Sequence, residues 1–189
     1  MASKFKNKYR IESTRLRQWD YSQPGSYFIT AVTKNRKRFF GEIINEKMIL
    51  NELGKIAEAC WLEIPNHFSN VVLGEHQVMP DHFHGIIHIL DEDDAKKFAG
   101  IGFIWPLLKQ EMIHPPEAVH PRFRNQGKGT VSSIFGSYKS AVSKRCHLIN
   151  PGFGWQSRFR DDIIRNEEAN DRIENYIRRN PAMWGKKKK

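Results

Sequence analysis

The sequence predicts an α+β domain in which helices pack on an antiparallel sheet, and three observations carry that expectation. A β-branched and aromatic run, Ser26 to Thr33, follows the turn pair Pro24-Gly25. Two apolar stretches, Asn70 to Val78 and His84 to Leu90, flank Met79-Pro80-Asp81. Two later segments repeat their apolar residues at helical spacing. Strands that pair as hairpins, together with helices long enough to cover them, give a two-layer arrangement around a shared core.

The elements follow in order. Ser26 to Thr33 is the first strand. From Asn45 to about Trp61, residues Ile49, Leu53, Ile56, Ala57, Cys60 and Trp61 recur at i, i+3 and i+4, which predicts one amphipathic helix ending near Pro65. The next two strands form a hairpin, since Pro and Asp at Met79-Pro80-Asp81 favour a turn. From Asp91 to Lys128 the acidic run Asp91-Glu92-Asp93-Asp94 opens a stretch of scattered Pro and Gly with weak periodicity, read as a long insertion. Thr130 to His147 is a helix with Ile134, Tyr138, Ala141 and Val142 on one stripe. The aromatic and basic segment Gly152 to Ile164 includes a short strand at Ile163-Ile164. A last helix runs from Glu167 to Asn180, with Asn166 as N-cap and Glu167 and Glu168 in its first turn. Pro181 is expected to stop it, because the residue before a proline is pushed out of helical conformation. This order is compatible with a ferredoxin-like or RNA-recognition-like core.

Composition bounds what such a domain can do. The 189 residues are 39% hydrophobic and 12% aromatic, which suits one globular domain spanning residues 1–189, with a basic lead over 1–25 and a basic tail over 185–189. No run of about 18 apolar residues exists, so a cytoplasmic protein without a membrane span is expected. Cys60 and Cys146 stand alone, with neither a disulfide framework nor a CxxC zinc pattern around them. Thirty-one Lys and Arg against twenty-one Asp and Glu give a net charge of +10, gathered at 4–17, 34–38, 139–145, 158–179 and 186–189. Basic clusters interleaved with Tyr9, Trp19, Phe39, Phe40 and Phe159 suit phosphate contacts plus base stacking on a single-stranded nucleic acid. A solvated basic face would have the same composition.

Two sets of residues can carry chemistry. His82 and His84 alternate on one strand, so both imidazoles project from one face while Phe83 goes to the other, a geometry able to bind a metal ion. His88 shares that parity but sits roughly 13 Å along the strand, too far to share the ion. On the last helix Tyr176 and Asn180 are one turn apart, which sets a phenol beside an amide oxygen. Ala169, Ile173, Tyr176 and Ile177 equally make an ordinary core stripe. Tyr138 is the rival nucleophile, but Val142 occupies the position one turn on and cannot ligate a metal. Tyr9, Tyr21 and Tyr27 have no such company.

Taken together, Met79-Pro80-Asp81-His82-Phe83-His84, Phe153-Gly154-Trp155-Gln156-Ser157-Arg158-Phe159 and Tyr176-Ile177-Arg178-Arg179-Asn180-Pro181, in that order, resemble the REP-associated tyrosine transposases, single-tyrosine members of the HUH transposases that act on single-stranded DNA. The resemblance runs from Arg10 to Pro181. It implies an HUH core, with His82, His84 and Asn180 holding Mg²⁺ or Mn²⁺ and Tyr176 as the nucleophile that forms a 5′-phosphotyrosine. Asn180 stands where the insertion-sequence members have Gln, which keeps the oxygen donor with a shorter reach, and the 91–128 insertion departs from their minimal pattern. Arg158, Arg160, Arg178, Arg179 and Lys139 are candidate DNA contacts on charge. The expected partner is single-stranded or hairpin DNA. One tyrosine supports one covalent intermediate per site, so two cuts need two subunits, as in a homodimer, or sequential turnover. Two other functions fit the same residues: a non-catalytic single-stranded nucleic-acid-binding module, and a relaxase or replication-type nickase.

Overall fold

The computed structural model describes residues 20–98, 127 and 129–186. The chain runs through β1 (Gly25–Val32), a single 3-10 turn (Lys34–Arg36), β2 (Gly41–Ile44), β3 (Lys47–Leu50), α1 (Glu52–Leu62), α2 (Ile64–His67), β4 (Val71–Met79), β5 (His82–Ile89), α3 (Glu92–Phe98), α4 (Val131–His147), β6 (Arg160–Ile164) and α5 (Glu167–Met183). Strands β4, β5, β1 and β6 lie in that order in one sheet, with every neighbouring pair antiparallel. The expected α+β architecture, an antiparallel sheet with helices in a ferredoxin-like order, is what forms.

Strand alternation explains how the sheet is covered on both faces. Tyr27, Ile29 and Ala31 of β1 and Phe83 and Ile87 of β5 are buried in the larger core with α1 and α4. Trp61 sits at its centre, with ring centroids 4.7 Å from Phe83 and 5.6 Å from Tyr138. The opposite face carries Ser26, Phe28 and Thr30 paired with His88, Ile86 and His84. There Ile86 and Ile164 bury against Ile177 of α5, with Phe28, Ala169 and Ile173 alongside. Three of the four positions on the last helix's stripe, Ala169, Ile173 and Ile177, thus pack on the sheet, whereas Tyr176 remains half-exposed at 51%.

Two expected boundaries are corrected. The helix expected from Asn45 to Trp61 starts only at Glu52, and 41–50 is the antiparallel hairpin β2–β3. Its turn residues Asn45 and Glu46 have φ of 49° and 62°, the two successive left-handed residues that a two-residue hairpin requires. Asn51 then caps α1 by accepting from the Gly54 amide. The second correction concerns Pro181, which does not stop the last helix: α5 continues to Met183, and the Trp184 amide closes it on the Pro181 carbonyl. A proline this close to the end forfeits one backbone hydrogen bond in a turn that is terminating anyway.

Elsewhere the expectations hold with shifted ends. The Asn166 side chain caps α5 through the Ala169 amide as expected, and Thr130, expected to be the first residue of the preceding long helix, instead caps α4 through the Ser133 amide. The strand expected at Ile163-Ile164 extends back to Arg160. Of the 91–128 insertion only 91–98, which hold α3, and 127 are described; most of the basic lead and the last three lysines of the tail lie outside the described residues.

Candidate functional site

The site forms where α5 crosses the second face of the sheet. Cross-strand pairing puts Gln77, His84, Thr30 and Arg160 in one row from β4 to β6, with Met79, His82 and Val32 in the adjoining row. The two histidines face each other on one strand, their ring centroids 4.6 Å apart. Each has its Nδ1 engaged: His82 with Asp81 Oδ1 at 2.5 Å, His84 with Thr30 Oγ1 at 2.9 Å. That leaves Nε2 of each ring as the nitrogen open to a further partner.

Tyr176 reaches this pair from α5. Its hydroxyl lies 3.4 Å from His84 Nε2, a long and weak hydrogen bond, while its ring packs edge-on against Phe28. Phe28 in turn stacks on His84 at 5.3 Å. Two turns further on, Trp184 stacks on His82 with centroids 5.8 Å apart. Tyr176 and Trp184 therefore touch one histidine each, and Asn180, spaced one turn from both along the same helix, is itself buried. Electrostatics favours a neutral His84 ring. Burial, with His82 alongside, pushes the His84 imidazole down to about 3, against a smaller opposing pull from Asp81. Burial acts to raise the Asp81 carboxyl, but His82 and Arg36 beside it prevail and hold it below the usual range.

The structure separates the other candidates. Tyr138 is buried on the opposite face of the sheet among Trp61, Phe83 and Phe135, where burial pushes its phenol well above the ordinary value. His88 is buried on the same face with Ser26 Oγ on its Nδ1, apart from the pair as the distance along the strand predicts. Among the cations, Arg160 stands across β1 from Thr30 but forks onto Asp162, and Arg178 reaches Glu75 and Glu174. Lys139 donates to the Gln156 carbonyl beside the Trp155 ring, so it ties down that segment. Arg158 and Arg179 are exposed. The aromatics offered for base stacking at Phe39, Phe40 and Phe159 are instead built into the core: Phe40 is buried, Phe39 packs on Phe153 and Phe159 on Phe135. Among the described residues no group of three or more His, Cys, Asp or Glu gathers as a metal site, and no helix is long and apolar enough to cross a membrane.

Sequence reasoning missed Thr30, Phe28, Asp81 and Trp184. Asp81 was visible as the residue before the histidine pair, but the other three come to the site only through strand register and the path of α5.

No protein-family model matches the chain. Over 173 residues it is 34% identical to an uncharacterized protein of Haemophilus influenzae, a match that spans 91% of this chain and 88% of that protein. Its structure is similar to that of a REP-associated tyrosine transposase bound to a REP hairpin, with a TM-score of 0.56 at 18% identity over 93% of this chain and 75% of that one. A candidate transposase from Deinococcus radiodurans aligns with a TM-score of 0.44 at 14% identity, over 88% of this chain and 96% of that one. The chain belongs to one family with the Haemophilus influenzae protein, and its fold is that of a REP-associated tyrosine transposase.

Proposed function

We propose that this chain is a transposase that cuts and rejoins single-stranded or hairpin DNA through Tyr176. The observation that carries the reading is the placement of the half-exposed Tyr176 hydroxyl 3.4 Å from Nε2 of a buried, neutral histidine that has a second histidine beside it. A REP hairpin is the ligand of the structurally similar transposase, and a hairpin-bearing single strand is accordingly the first substrate to try.

The donor set fits a divalent ion. Two imidazoles with Nδ1 engaged elsewhere would supply two nitrogens, and buried Asn180, one helical turn from Tyr176, would supply an oxygen; phosphate and water would complete the shell of Mg²⁺ or Mn²⁺. Such an ion, when bound, supplies positive charge against the phosphate as charge develops on it. His84 serves as a ligand and not as a general base, because an imidazole with so low a proton affinity is a poor acceptor for a phenol of pKa about 10. Tyr176 Oη forms the new bond to phosphorus, and the bond from phosphorus to the 3′ oxygen breaks. The phenolic proton passes to solvent water, the departing 3′ oxygen takes one from it, and a 5′-phosphotyrosine remains. Attack by another 3′-hydroxyl reverses the step with no external energy source.

Exposed Arg158 and Arg179 are the proposed backbone contacts, joined by Arg160 and Arg178 when DNA phosphate displaces their carboxylate partners, and by Lys139. Two cuts require two subunits or two turnovers, and the homodimer is tested by light scattering with and without DNA. The chemistry is tested by incubating the full chain with labelled hairpin-bearing single strands and Mn²⁺, then separating on a denaturing gel. A metal-dependent covalent adduct and rejoined product are expected. Binding without cleavage would leave a nucleic-acid-binding module, and cleavage without rejoining would leave a nickase.

A further inference from the structure

We propose that Asp81 is a positioning residue for His82, holding its ring in the Nδ1–H form so that the Nε2 lone pair is the one presented to a metal beside His84. The inference rests on the metal reading above for its last clause, while the orientation itself rests on geometry. His82 Nδ1 and Asp81 Oδ1 are 2.5 Å apart, and both side chains are almost wholly shielded from water.

The carboxylate does not move freely. The Asp81 carbonyl accepts from both the amide and the hydroxyl of Thr33, and the Pro80 carbonyl accepts from the Phe40 amide, so the β4–β5 turn is clamped from the 33–40 loop. Arg36 Nη1 stands 3.6 Å from Asp81 Oδ2, on a residue whose φ of 52° is unusual for arginine. Trp184, stacked on the other side, holds the plane of the His82 ring.

Donor and acceptor chemistry then decides the tautomer. A carboxylate oxygen accepts, so with Asp81 Oδ1 at 2.5 Å from Nδ1 the ring proton sits on Nδ1 and the lone pair lies on Nε2. Thr30 does not impose the same choice on His84, because a hydroxyl can donate to Nδ1 or accept from it. The site thus has one histidine whose tautomer is dictated and one whose tautomer follows its Nε2 partner. A carboxylate behind a ligating imidazole also makes that ligand more basic.

The experiment uses the full chain with ¹⁵N-labelled histidine. Long-range ¹H–¹⁵N spectra of the metal-free protein at alkaline pH read the His82 tautomer, and the electron paramagnetic resonance of Mn²⁺ reads metal affinity. In wild type His82 is expected as the Nδ1–H form. Asp81→Ala is expected to abolish that preference and weaken Mn²⁺ binding about 10–100-fold. Asp81→Asn, whose amide oxygen still accepts, is expected to retain the tautomer and most of the affinity. Wild-type His82 in the Nε2–H form, or an Asp81→Ala protein with unchanged tautomer and unchanged Mn²⁺ affinity, would overturn the proposal. A tautomer that responds to Asp81→Ala in a chain that binds no Mn²⁺ would uphold the orienting role and sink the metal reading instead.

Discussion

Two tyrosines on helical stripes differ in one physical respect, the face of the sheet on which each ends. Tyr138 packs among Trp61, Phe83 and Phe135 at 2% exposure, whereas Tyr176 is 51% exposed beside His84. Tyr176→Phe removes one oxygen and leaves the ring against Phe28, so the protein should fold normally while covalent adduct formation on a denaturing gel disappears. Tyr138→Phe should keep the adduct; a phosphopeptide mapped to Tyr138 would reverse the assignment. The histidines are predicted to act together. His82→Ala and His84→Ala should each abolish metal-dependent cleavage while DNA affinity in a gel-shift assay falls little, since most of that affinity comes from cations meeting phosphates. Asn180→Ala behaving as wild type in the same assay would remove Asn180 from the ligand set.

Elements hold these residues in place through close approach. A Cβ on Gly85 would lie 2.6 Å from Trp61 Cζ2 and 2.8 Å from Phe83 Cε1, so β5 can pass beneath α1 only because residue 85 has no side chain. Gly85→Ala must push Trp61 aside, and overpacking of this kind costs about 1–3 kcal/mol. Denaturant unfolding should show that loss as a lower midpoint with an unchanged slope. Because His84 is the next residue on β5 and faces the opposite side, the variant should also weaken Mn²⁺ binding if the strand shifts to relieve the contact. On the other side of the sheet α5 is fastened to β4 by Arg178, which links Glu75 of the strand to Glu174 of its own helix, and Lys186 beyond the helix pairs with Glu46 in the β2–β3 turn. These exposed pairs contribute little energy each, but they flank the stretch that carries Tyr176, Asn180 and Trp184.

For the molecule as a whole, acid should be destabilising. His88 is fully buried, and burial holds its imidazole well below its ordinary value of 6.5, with His76 and His84 lowered for the same leading reason. A histidine depressed in the folded state stays neutral there, while the unfolded chain takes up the proton; stability is therefore fully present above about pH 6.5 and is lost as pH falls below it. Each fully buried imidazole should withdraw about 1.4 kcal/mol per pH unit until its folded value is reached. Urea unfolding at about pH 7 and about pH 5.5 tests this, with His88→Gln expected to flatten the dependence by the share of one group. An equally steep dependence in that variant would show that other groups set the acid limit.

Local pattern determined much of this protein. The hairpin about Pro80-Asp81, the Asn166 cap, the helix that begins near Thr130 and the projection of His82 and His84 from one face follow from periods of two and 3.6 residues and from a short capping side chain, and the exclusion of His88 follows from the rise per residue along the strand. The same reasoning misread 45–50, where Ile49 fits the stripe of the following helix as well as it fits a strand, and only the left-handed pair Asn45-Glu46 decides for the hairpin. It also ended α5 at Pro181, though the lost hydrogen bond matters little one turn from the terminus. The preference for Tyr176 over Tyr138 was legible from Asn180 one turn on where Tyr138 has Val142; what tertiary structure alone decided is what surrounds the histidines. Thr30, Phe28 and Trp184 lie far from His82 and His84 in sequence, and strand register and the crossing of α5 bring them within contact. Nothing local encodes those contacts, because register and helix docking are set by burying two faces of one sheet at once.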